Sequence, residues 1–201
     1  MKRPARPTSD IQKQRHQQII LAAIASLAES GYIATSFAEI GRRVGISKSV
    51  VAYHFENKEL LIDAVVNAIY DKGFEVVRPA INTETTAEGR IAAFIRQSIY
   101  FYQEYHSYVA ALSALRLHLN NKGKPNMVAV DRLHRELSDV AVILRDGQEH
   151  GEFRDFSPAI MARTLRQALD GVLIEMTHHP ATDLNKYARE LTTLFQRAFQ
   201  K

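Results

Sequence analysis

The chain has 201 residues, 46% hydrophobic and 24% charged, with a formal net charge of +4 and no cysteine. That composition excludes a disordered or fibrous chain and leaves room for one or two domains with an ordinary core; the missing cysteines exclude a disulfide framework, a thiolate zinc site, an iron–sulfur cluster and a cysteine nucleophile. No apolar run approaches the roughly 20 residues of a membrane span, and the start MKRPARPTSD lacks a signal peptide's apolar core, so no membrane partner is expected and the cytoplasm is the expected location.

The charge is unevenly placed. Residues 1–58 carry nine Lys or Arg against four Asp or Glu, a net +5, and the remainder is close to neutral. This asymmetry predicts a polyanion-binding module in front of a domain with another task. Residues 1–10, basic and carrying Pro4 and Pro7, read as a flexible arm whose Arg3 and Arg6 either enter a minor groove or stay a solvated tail. A first helix is predicted over Lys13–Ser30, from the spacing of Ile20, Ala23, Ile24, Leu27 and Ala28, with Gly31 as its C-terminal cap. Ser36-Phe37-Ala38-Glu39 spells a capping box for a second helix, whose buried stripe is Phe37, Ile40, Gly41 and Val44. Gly45 stops it, Ile46 plugs the turn, and Ser47 caps a third helix over Lys48–Phe55.

Short helix, glycine turn, short helix is the spacing of a helix-turn-helix, whose second helix enters the major groove while the first braces it. With Val51 and Phe55 inward, Lys48, Ser49, Val50, Ala52, Tyr53 and His54 are left to meet DNA. They offer a cation, hydroxyls and methyl surface to phosphates, base edges and thymine methyls. Ser47 joins them at the start of the helix. Of Arg42 and Arg43, one is expected on phosphate and one in solvent, with Arg43 the candidate.

Beyond residue 58 the pattern is all helical. Helices are predicted over Lys58–Val77, ended by Pro79, then Ala87–Tyr105, Ser107–Leu119, Met127–His150, Pro158–His178 and Asp183–Gln200, about nine in all. The expected fold is all-α: an arm (1–10), a three-helix DNA-binding domain (11–57) and a larger helical domain (58–201).

The motif Gly31-Tyr32-x-x-Thr35-Ser36-Phe37-x-x-Ile40, Gly45-Ile46-Ser47-Lys48, Tyr53-His54-Phe55-x-x-Lys58-Glu59-Leu60-Leu61 resembles the tetracycline-repressor (TetR) family of bacterial transcriptional regulators. The resemblance covers about 45 residues, with a further likeness in the Gly151-Glu152-Phe153-Arg154 turn. It implies a homodimeric repressor on a palindromic operator, released when a small molecule enters the C-terminal domain. It also implies DNA contacts from Thr35 or Ser36, Lys48, Tyr53, His54 and Lys58. The chain departs from the family pattern at Ala52, where tyrosine is common, and at Ala38, where a polar side chain is common.

For the effector, the aromatic-rich helix from Ala87 suggests a largely apolar or aromatic ligand between Phe94, Ser98, Tyr102 and Tyr105. Simple core packing is the competing reading. Glu175, a carboxylate on an otherwise apolar segment, is the candidate polar contact. Stripes on the last two helices, including Thr164, Ala168, Gly171 and Val172 and then Leu191 and Phe195, suggest a four-helix dimer interface. The scattered histidines have no metal-ligand spacing, so neither metal nor cofactor is expected, and no nucleophile or phosphate-loop motif suggests an enzyme. An activator, a ligand-independent repressor and an architectural DNA-binding protein are the alternatives.

Overall fold

The computed structural model describes residues 10–121 and 126–200. Residues 1–9 of the expected arm lie outside the described residues; Asp10 opens the first helix, where an acidic side chain favours the helix dipole. Among the described residues there are nine helices and no strand: α1 (Asp10–Ala34), α2 (Phe37–Val44), α3 (Lys48–His54), α4 (Lys58–Thr83), α5 (Ala87–Glu104), α6 (His106–Asn121), α7 (Met127–Glu149), α8 (Pro158–His178) and α9 (Leu184–Phe199).

Most boundaries fall within a few residues of the sequence reading. α1 has non-helical backbone at Gly31, with φ 74° and ψ −178°, so its regular part stops where the cap was expected. α4 differs more. Pro79 sits inside it, and the helix continues to Thr83. Proline removes one amide hydrogen bond, but Ile81 beyond it packs partly buried against the core beside Val76 and Val77, and that burial favours continuing the helix.

The helices form two compact units whose boundary differs from the expected one at 57/58. One takes the described residues up to Ala68 together with those of Ala110–Asn126; the other takes Ile69–Val109 and Met127 onward. The first turns of α4 and most of α6 therefore belong with α1–α3. Two contacts show why: Asn126 Nδ2 donates to Asp63 Oδ1 at 2.7 Å, and His118 of α6 stacks on Tyr32 with ring centroids 3.9 Å apart. The interior of this unit includes Ile19, Leu27, Ile40, Val51, Leu61, Val65 and Leu115.

In the second unit α5 packs against α7, α8 and α9, and α7 packs on α8. Its core joins Ile91, Ile95 and Ile99 to Leu144, Leu165, Leu169, Phe195 and Phe199. The turn at Gly151-Glu152-Phe153-Arg154 serves two other helices. The Glu152 carboxylate accepts from the amides of Ala87 and Glu88, both at 3.1 Å, and so caps α5 beside Thr86. The Arg154 amide donates to Phe199 O and its Nε to Ala198 O, both at 2.9 Å, at the end of α9. Phe153 lies against Gly147, where a Cβ would stand 2.4 Å from the ring, so only glycine admits it.

Candidate nucleic-acid interface

Two serine caps position the helix-turn-helix. Ser36 Oγ accepts from the Glu39 amide at 3.2 Å, and Ser47 Oγ accepts from the Val50 amide at 3.3 Å. Between the caps, Gly45 adopts φ 72° and the Ile46 amide donates to Gly41 O at 2.9 Å. A Cβ on Gly41 would lie 2.7 Å from the Ile46 carbonyl oxygen, so this glycine sets how closely the turn folds back on α2. Val51, fully buried, and Phe55, nearly so, then fix which side of α3 faces outward.

That outward side carries Ser47, Lys48, Ser49, Val50, Ala52 and Tyr53, all exposed, with Tyr53 at 74%. The hydroxyls of Ser47 and Ser49 lie 2.9 Å apart. The surface thus combines one ammonium, two small hydroxyls, methyl groups and a phenol, a set able to contact phosphate and base edges. His54 is half-buried, edge-on to Tyr53 and 6.2 Å from the His16 ring, which in turn stacks on Phe55. Burial, helped by His54, holds the His16 imidazole below its ordinary value. Gln12 Nε2 donates to the Tyr53 hydroxyl at 3.5 Å, a link from α1 to this face that the sequence reading did not include.

Three expected contacts lie elsewhere. Thr35 is fully buried: its hydroxyl donates to Gly31 O at 2.9 Å and lies 3.0 Å from that of Ser26, bracing the bend after α1 and leaving no surface for a ligand. Arg43 is held by Glu39 at 2.6 Å and Glu29 at 2.8 Å, so its guanidinium is tied into α1 and α2. Arg42 makes a bidentate pair with the same Glu39, and the two guanidinium groups pull that carboxyl down to about 2. Lys58 is half-buried, with its ammonium 2.6 Å from Tyr32 O and 3.9 Å from the Tyr32 ring centre, which places it within the domain and off the outward face of α3. Ser36 remains exposed beside its cap.

In the second unit the expected effector wall is packed. Phe94, Ser98 and Tyr102 are buried, and Tyr105 stacks on Phe101 at 5.1 Å. Glu175 accepts a 3.3 Å hydrogen bond from the Thr182 hydroxyl, while its carbonyl caps α8 through the His179 amide. Of the expected dimer residues, Val172, Leu191 and Phe195 are interior, because α8 and α9 turn those faces onto their own core. Thr164 is exposed, Ala168 half-buried, and Gly171 has open space around its Cα.

A family model described as bacterial regulatory proteins, tetR family, matches residues 19–65, from within α1 into the first turns of α4. The fatty acid metabolism regulator protein of Bacillus subtilis is 24% identical over 166 residues, 81% of each chain. The HTH-type transcriptional regulator YuxN of the same species is 31% identical over 91 residues, 45% of this chain. That match spans 30% of YuxN, and the chain spans less than half the length of several other curated relatives. Among solved structures, a transcriptional regulator of Saccharomonospora viridis in complex with choline is similar with a TM-score of 0.81 and 19% identity, over 94% of this chain and 100% of that one.

Proposed function

We propose that the chain, whose residues 19–65 match the tetR family model, is a TetR-family, sequence-specific DNA-binding transcriptional regulator that acts as a homodimeric repressor on a palindromic operator. The observation that carries this reading is the outward face of α3, where Ser47, Lys48, Ser49, Val50 and Tyr53 stand exposed on a helix pinned by buried Val51 and Phe55. His54 and Ser36 flank that face.

Dimerisation has a physical motive, since one seven-residue helix reaches few bases and a twofold pair reads two half-sites about 34–36 Å apart. The strip Ile160, Thr164, Gln167, Gly171 and Ile174 along α8, exposed except for the half-buried Gly171, supports it, because these residues share one helical face and none is charged. Leu194, 61% exposed on α9, adds to it. A small molecule that favours a different separation of the two α3 helices would release the operator, provided it binds one spacing more tightly than the other. The choline bound by the Saccharomonospora viridis regulator supports a ligand-responsive reading.

The test is selection of bound sequences from a random DNA pool by the purified protein at about 0.15 M salt, where non-specific phosphate binding is weakened. A palindromic consensus whose affinity falls at least tenfold with Tyr53→Ala supports the reading. No enrichment, or a consensus insensitive to Tyr53→Ala and Lys48→Ala together, overturns it.

A further inference from the structure

A cleft of about 530 Å³ opens within the second unit, lined by Asp71, Phe74 and Arg78 of α4 and by Arg132, Arg135 and neighbouring residues of α7. Asp71, Phe74 and Arg78 recur at three- and four-residue steps, and so do Arg132, Arg135 and Asp139, so each helix presents one continuous edge to the cleft. The wall contains three guanidinium groups, the His134 imidazole, the Ser138 hydroxyl and one aromatic ring.

The charges are unequally committed. Arg132 is paired with Asp71 at 2.9 Å, which fixes the two edges to each other. Arg78 and Arg135 are exposed and have no ion pair among the described residues. On the opposite sign, Asp139 is the one lining carboxylate outside that pair. Some arginines elsewhere in this unit are matched to carboxylates, Arg90 to Asp146 at 3.0 Å and Arg166 to Glu136 at 2.6 Å and Asp170 at 2.9 Å, while Arg145 and Arg163 are exposed without an ion pair among the described residues. What distinguishes Arg78 and Arg135 is that both line one concavity together with Phe74 and the Arg132–Asp71 pair.

Guanidinium forks match carboxylate and phosphate oxygens in bidentate geometry, and Phe74 offers a flat apolar face to the rest of a ligand. We infer that the cleft between α4 and α7 binds a small organic anion, with its phosphate or carboxylate group held by Arg78 and Arg135 and its apolar or aromatic part resting on Phe74. This goes beyond the effector chemistry expected from the buried aromatic helix, which called for a largely apolar molecule. Binding itself stands independently of the operator; its regulatory meaning rests on the proposed function.

The test uses the full chain with phenyl phosphate, benzoate, phenol and inorganic phosphate as probes in calorimetric titrations at about 0.15 M salt. Phenyl phosphate or benzoate is expected to bind at least tenfold more tightly than phenol. Arg78→Ala with Arg135→Ala removes that preference, and Phe74→Ala weakens the aromatic anions while leaving inorganic phosphate within twofold. The exposed pair Arg145→Ala with Arg163→Ala serves as the charge control and leaves every titration within twofold. The ratio of phenyl phosphate to benzoate tells which anionic group the site prefers. Equal binding of phenol and the anions, or an equal loss in the control pair, overturns the inference. Operator selection on the same proteins separates the two readings. An arginine-dependent anion site in a protein that selects no DNA leaves this inference standing and removes the repressor. A selected operator with no anion binding does the reverse.

Discussion

At the scale of single residues, the polar groups of the N-terminal unit divide into those facing outward and those that hold it together. Thr35 belongs to the second kind. Thr35→Val removes one partner of a buried hydroxyl pair and should lower stability by about 1–2 kcal/mol, read as an earlier urea midpoint. A loss of DNA affinity with unchanged unfolding would instead make Thr35 a contact. His16 gives the unit a pH dependence. Its folded imidazole resists protonation relative to the ordinary 6.5, so below that value the unfolded chain binds more protons than the folded one. Stability is fully present above pH 6.5 and declines as pH falls through it toward the lowered folded value. Urea midpoints at about pH 7.5 and pH 5.5 should converge in His16→Gln relative to the parent chain; an equal drop in both proteins would assign the effect elsewhere. Neither role was visible in sequence, because a threonine beside a capping serine and a histidine on a polar stretch look alike whether they face in or out.

At the scale of elements, the tightest constraint is the approach of α2 to the turn before α3. Gly41→Ala would set a methyl 2.7 Å from a carbonyl oxygen that cannot move without opening the turn. The expected cost is about 1–3 kcal/mol, with operator affinity falling further than stability because α3 is displaced. Thermal unfolding alongside a binding titration checks this, and a fully stable Gly41→Ala with parental affinity would refute it. In the second unit Glu152→Ala should uncap α5 at about 1 kcal/mol, the scale of an N-cap loss, measurable by urea unfolding; no change would mean that Thr86 alone suffices. Both loops were legible as turns from their glycines. What each turn does for distant helices was not, because a cap 65 residues away leaves no local pattern.

At the scale of the whole molecule, helix order and most ends followed from apolar spacing and capping residues, since these act within a few residues of where they stand. The surface assignments failed where two helices share a stripe. Val172, Leu191 and Phe195 are periodic and apolar, as an interface would be, but the core of their own unit takes them. The dimer reading therefore moves to residues the core leaves out. Ile174→Asp with Leu194→Asp, both more than half exposed in the protomer, should preserve folding, halve the mass seen by sedimentation and weaken operator binding at least tenfold. A dimer that survives the pair places the interface elsewhere. A last consequence lies in where the units divide. The chain passes between them three times: inside α4 after Ala68, inside α6 after Val109, and between Asn126 and Met127 at the start of α7; the first two crossings are continuous helix. Limited proteolysis should find no cut site at either helical crossing. A reading head transplanted to build a chimeric sensor cannot be excised as one stretch; the graft must carry residues 110–126 with it, or Tyr32 and Asp63 arrive in the new host without their partners.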